Sequence, residues 1–170
     1  MKTKFSILLF LFSFMMINAQ SFEKLLFSKK DIPTVIINGN IIANQEVSTS
    51  IPKAKIKSIA VKKAAENAIN FSNLSEYGFI LFTVENPEIE VKSQEEIRKF
   101  FGVDAKTKIY VDGFLVDNDD MKIASKAIKE VEIISPNERD LLAEKIINIW
   151  TLEKDSRLAG KNSGLIKINK

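Results

Sequence analysis

The 170-residue chain contains no cysteine and no histidine. The two absences exclude disulfides, an acylated amino-terminal cysteine, thiol nucleophiles, the usual zinc sites and any Ser-His-Asp triad. No G-x-S-x-G elbow, P-loop or G-x-G-x-x-G turn occurs either. Catalysis would fall to carboxylates, lysines or hydroxyls, and their pattern singles out no reaction. The expectation is a protein that is not an enzyme and holds no cofactor and no metal. Glu85, Glu88, Glu90, Glu95 and Glu96 would make a paired-carboxylate site only if the fold joined two of them.

Long apolar runs are scarce. The longest, Phe5–Ile17, follows Lys2 and Lys4 and precedes Ala19. At ~1.5 Å per residue it spans about 20 Å, short of the roughly 30 Å hydrocarbon core. Basic start, apolar centre and small residue predict a secretory signal peptide, residues 1–19, cleaved after Ala19. Elsewhere no run approaches a membrane span.

The remaining composition is that of a folded domain, 45% apolar and 28% charged. Loss of Lys2 and Lys4 with the signal leaves 23 basic against 22 acidic groups, a net charge of +1. A nearly neutral chain gives no reason to expect a nucleic-acid partner. About 150 residues can bury roughly 68–70% of the unfolded surface, enough to fold without covalent staples.

A degenerate repeat organises the sequence. Lys108-Ile109-Tyr110-Val111-Asp112-Gly113 answers Val35-Ile36-Ile37-Asn38-Gly39, and the segment from Ala127 to Ile133 answers Lys55 to Val61. The stretch from Ile146 to Glu153 aligns with Gly78 to Glu85. Asn-Gly and Asp-Gly between apolar runs predict two tight hairpins, because these residues tolerate positive φ. Residues 44–50 read as a polar loop. From Ile56 the apolar spacing shifts from three to two, a passage from helical turn to strand. Ala64–Phe71 reads as a helix and Phe79–Val84 as a buried strand. Ser93 with Glu96 forms a capping box for a helix ending at Gly102, with Ile89 and Val91 in a preceding edge strand. Ser135, Pro136 and Glu138 make a second box.

The predicted fold is α+β, two small β-β-α-β units with mixed sheets joined by a spacer helix. Residues 20–32 form a leader packed on the first unit, 33–85 that unit, and 86–106 a linker with the helix. Residues 107–154 form the second unit and 155–170 a polar tail or edge strand.

The order strand, Asx-Gly, loop, Pro52, Ile56, Ser58-Ile59, Val61-Lys62, Ala64-Ala65, Tyr77-Gly78 and a strand ending at Thr83 resembles the plug domain of TonB-dependent outer-membrane receptors, in its Bacteroidetes-type form. Lys161 to Ile168 echoes that family's closing strand. Asn38 stands where the family usually has Asp. The resemblance covers residues 33–85 well and 108–153 weakly. The sequence holds no series of barrel strands, so it implies a free-standing, duplicated plug-like protein; transport is not implied by fold alone.

The functional expectation is an exported interaction protein, periplasmic, outer-membrane associated or secreted. Its partner would be an envelope protein, with an outer-membrane component as one candidate, bound at sheet edges or at the hairpin loops Asn38, Gly39, Asn40 and Asp112, Gly113. The alternative uses a basic face, Lys53, Lys55, Lys57, Lys62 and Lys63, to bind acidic glycan or anionic lipid. The acidic loop Asp117, Asp119 and Asp120, near Asp112, offers hard oxygens for calcium but lacks EF-hand spacing, so a solvated turn is expected.

Overall fold

The computed structural model describes residues 24–157 apart from 26, 30–31, 64–70, 72 and 137–141. The expected signal peptide, the body of the helix over 64–71, the second capping box beyond Pro136 and the tail from 158 onward lie outside the described residues.

The fold is α+β with two mixed sheets. β1 (Thr34–Ile37) is a β-branched run buried along its length, and it turns through Asn38-Gly39 into β2 (Ile41–Ala43). Both turn residues have positive φ, 49° and 77°, the primed geometry whose twist matches antiparallel strands. β3 (Ile56–Lys62) pairs antiparallel with β4 (Phe79–Val84), which lies parallel to β1. β5 (Val91–Ser93) leads into α2 (Gln94–Phe100), and β6 (Lys108–Val111) turns through Asp112-Gly113, φ 52° and 84°, into β7 (Phe114–Leu115). β8 (Lys122–Ala124), β9 (Glu130–Ile134) and β10 (Ile146–Trp150) complete the strands. Sheet orders are β3-β4-β1-β2-β8-β5 and β7-β6-β10-β9.

The same four-strand order therefore occurs twice, with β6, β7, β9 and β10 answering β1, β2, β3 and β4. A 3-10 turn precedes the third strand in both, Lys53–Lys55 and Ser125–Ala127. Pairing of Thr34 with Phe79 and of Lys108 with Ile146 makes Ile146 equivalent to Phe79, not to Gly78 as the sequence alignment has it. The correction matters because a one-residue slip exchanges the two faces of a strand.

The sheets pack face to face around a shared core. Ile36, Ile42, Phe79 and Ile123 of the first sheet meet Ile109, Val111, Ile147 and Ile149 of the second, and α2 adds Ile97. Each such side chain contributes ~1.5–3 kcal/mol on burial, so neither repeat keeps its core alone. The packing is head to tail. Ile37 and Phe82, whose equivalents Val111 and Ile149 face the shared core, point instead into a second cluster with Val35 and Val84.

Three expectations change. Residues 44–50 are not a loop: α1 (Gln45–Ser50) is capped by the Asn44 side chain, which accepts from the Val47 N–H, and Val47 and Ile51 bury against the second cluster. β8 leaves the second repeat and pairs parallel with β2, widening the first sheet. The leader packs mainly on the second repeat, and reaches the expected first one through the Lys24–Glu76 and Lys29–Thr34 contacts. Lys24 bridges to Phe114, and Leu25 sits with Tyr110, Leu115 and Ile146. The capping box at Ser93 and Glu96 forms as expected, with β5 on the sheet edge before it. A short α3 (Lys154–Arg157) follows β10.

Candidate interaction site

The two hairpins do one local task in opposite surroundings. In the first, the Asn38 amide donates to the Val84 carbonyl at 3.0 Å and accepts from the Val84 N–H at 2.8 Å. In the second, Asp112 accepts from the N–H and the hydroxyl of Thr151, both at 2.7 Å. Val84 and Thr151 are equivalent positions, so each turn side chain ties down the end of the parallel strand beside it. Asn38 and Gly39 are exposed and Asn40 is half-buried.

Asp112 and Gly113, expected on a loop open to contact, are buried. The Leu25 N–H donates to the Gly113 carbonyl at 2.8 Å, and the Lys29 N–H to that of Asp112 at 2.9 Å. A Cβ at Gly113 would lie 2.5 Å from the Ser28 Cα, whereas one at Gly39 would meet nothing within 4 Å. The buried Lys29 ammonium lies 3.6 Å from the Asp112 carboxylate and donates to the Thr34 hydroxyl at 2.5 Å. It thereby links the second turn to the first strand. Burial pushes the Lys29 pKa below its usual value, against the pull of Asp112 in the other direction.

Sheet edges differ as sharply. β7 is covered by the leader, β5 has only three residues, and β9 carries its carboxylates in intramolecular pairs. Glu130 pairs with Arg157 at 2.5 Å, and Glu132 accepts from the Trp150 indole N–H at 2.8 Å, with the Arg157 guanidinium 4.8 Å from the Trp150 ring centroid. The Arg157 partner holds the Glu130 carboxyl below its usual range. β3 is the long edge, seven residues paired on one side only among the described residues. Its Ile59 and Val61 are 56% and 75% exposed, beside half-buried Phe82 and Ile80 on the same face.

The basic run borders this edge. Lys55 pairs with Glu88 at 2.9 Å and Lys57 with Glu85 at 3.6 Å. Lys53, Lys62 and Lys63 are exposed and form no ion pair among the described residues. The sequence predicted β3 but not that it is an edge. The available signal was five lysines and no acid between residues 53 and 63.

The acidic loop is open to solvent at Asp117, Asp119 and Asp120. Asp117 accepts from Asn73 at 2.8 Å, and Asp119 lies 3.9 Å from Arg98. Among the described residues no group of three or more carboxylates is placed to hold a metal ion. A shallow cleft of about 480 Å³ separates Asp119 and Asp120 from the first hairpin. An apolar cavity of about 400 Å³ lies between α2 and the second sheet, lined by Ile97, Phe100, Phe101, Ile128 and Val131. No described helix is long and apolar enough to cross a membrane. Comparison with protein-family models, curated proteins and solved structures gives no match.

Proposed function

We propose that the chain is an exported, non-enzymatic interaction protein of the cell envelope, a duplicated relative of receptor plugs acting through protein contacts. The observation that carries this reading is the contrast between edges: three are short, covered or internally satisfied, while β3 presents backbone unpaired among the described residues beside Ile59 and Val61. The lysines of β3 and the bulge between Ile56 and Ser58 guard such an edge against indiscriminate pairing, and strand addition is a standard use of one whose backbone stays exposed. Export rests on the amino-terminal pattern, Phe5 to Ala19. The test is recovery of envelope proteins on the immobilised exported form, with Ile59→Lys/Val61→Lys as control. A specific partner recovered only by the parent chain supports the reading, and absence of any partner with both chains contradicts it.

A second reading is supported by Lys53, Lys62 and Lys63, exposed without ion pairs on the same border. They suit acidic glycan or anionic lipid. Binding of that kind collapses at high ionic strength, whereas strand addition largely persists.

A further inference from the structure

We infer that β3 receives one class of partner: an extended segment whose apolar residues, two apart on one face, are flanked at both ends by carboxylates. The inference rests on the protein-contact reading and names the edge and the chemistry it selects.

Along β3 the side chains alternate from Ser58 to Lys62, after a bulge between Ile56 and Ser58. Ile59 and Val61 share a face with Phe82 and Ile80, their direct partners on β4. An added strand would place apolar residues beside Ile59 and Val61 and so extend the half-covered cluster formed by Ile80, Phe82, Val35 and Ile37. The backbone groups of β3 that face away from β4 would supply the hydrogen bonds. Lys57, which also meets Glu85 at 3.6 Å, lies towards one end of this apolar pair, and Lys62 and Lys63 at the other. Carboxylates flanking the apolar positions of the guest would meet ammonium groups at both ends.

Charge also argues against a second copy of this chain. A two-fold antiparallel pairing centred on Ala60 sets Ile59 against Val61 of the partner copy, and it brings Lys57, at the bulge, close to Lys62 and Lys63 of that copy. Like charges directly opposed destabilise a strand pair. The lysines thus act as a filter: they oppose self-pairing, which would otherwise follow from so apolar an edge, and favour an acidic guest. The equivalent strand within the molecule shows the opposite pattern. β9 reads Glu130-Val131-Glu132-Ile133, with acids where β3 has Ser58 and Ala60. That strand satisfies its acids internally through Arg157, Lys154 and Trp150.

The probe is a fluorescein-labelled peptide Glu-Thr-Val-Thr-Val-Thr-Glu, seven residues long to match β3 with both valines and both glutamates on one face, titrated against the exported form by fluorescence anisotropy. Three comparisons accompany it: the same peptide N-methylated at alternate amides, the Ile59→Lys/Val61→Lys chain, and vesicles containing anionic lipid. Both substituted positions are exposed, and circular dichroism confirms that the variant folds. Saturable binding is expected, weakened about tenfold or more by N-methylation and by the double substitution, and only fewfold by high salt. Equal binding of the methylated peptide, or retention by the variant, overturns strand addition. Binding to anionic vesicles without binding to the peptide overturns it in favour of a lipid surface. Concentration-dependent self-association lost in the variant overturns the filter. An envelope partner recovered equally by parent and variant would leave the protein-contact reading standing and remove β3 from it.

Discussion

The Asn38-Gly39 and Asp112-Gly113 turns share a backbone but not an environment. Both have positive φ at two successive residues, and both use the first side chain to secure the strand alongside. One is in solvent and carries a neutral amide. The other lies beneath the leader and carries a carboxylate, with Lys29 buried beside it. Sequence repetition determined the turn, while packing decided which copy remained accessible. A charged residue in the covered copy required a second charge from a segment distant in sequence, because an isolated buried ion is strongly unfavourable.

The largest effect should come from Asp112→Ala. It strands the Lys29 ammonium and removes both acceptors of Thr151, so a loss of about 3–5 kcal/mol is expected in urea denaturation. Lys29→Met/Asp112→Asn, which makes the second turn resemble the first, should return to within about 1 kcal/mol of the parent. A double variant as unstable as Asp112→Ala would show that the pair is not the source of the loss.

Glycine sharpens the same contrast. Gly39→Ala meets open space and should cost only the left-handed backbone strain, about 1–2 kcal/mol. Gly113→Ala must also displace Ser28, so it should cost more and expose the leader to protease. Equal losses at the two sites would contradict the leader's position. Asn38→Ala should cost about 1 kcal/mol for its two exchanged hydrogen bonds, well below Asp112→Ala.

The smallest effects concern pH. Burial lowers the Lys29 pKa below 10.5, so the unfolded chain binds that proton more tightly. The Lys29 contribution therefore rises with pH through the interval between the folded value and 10.5, and the stability of the parent should gain on that of Lys29→Met there. Glu46 and Glu130 behave differently. Lys129 and Arg157 hold their carboxyls below 4.5, so their contributions are present above that value and fade as pH drops through the folded values. A flat difference between parent and Lys29→Met on the alkaline side would rule out the lowered lysine.

Local grammar carried much of the fold. Asn-Gly and Asp-Gly specified the turns, Ser93 with Glu96 specified the start of α2, and the change of spacing at Ile56 marked β3. α1 was illegible because Gln45–Ser50 is polar with Val47 alone as an anchor, and its helix depends on the Asn44 cap and on burial against other strands. The crossing of β8 into the first sheet was equally hidden, since nothing in Lys122–Ala124 distinguishes one sheet edge from the other. The site divided along the same line. The lysines of the basic face could be counted in the sequence, but exposure of Ile59 and Val61 and burial of Asp112 are properties of tertiary packing.

Native-state hydrogen exchange tests the central claim, one repeat sealed and one open, most directly. The Asp112 amide, bonded to the Ile149 carbonyl at 2.8 Å, and the Gly113 amide, bonded to Asn148 at 3.0 Å, should exchange only with global unfolding. Gly39 and the outward amides of β3 should exchange orders of magnitude faster, and the acidic peptide should slow β3 alone. Fast exchange at Gly113, or protection of β3 equal to that of the buried strands before any peptide is added, would contradict the account.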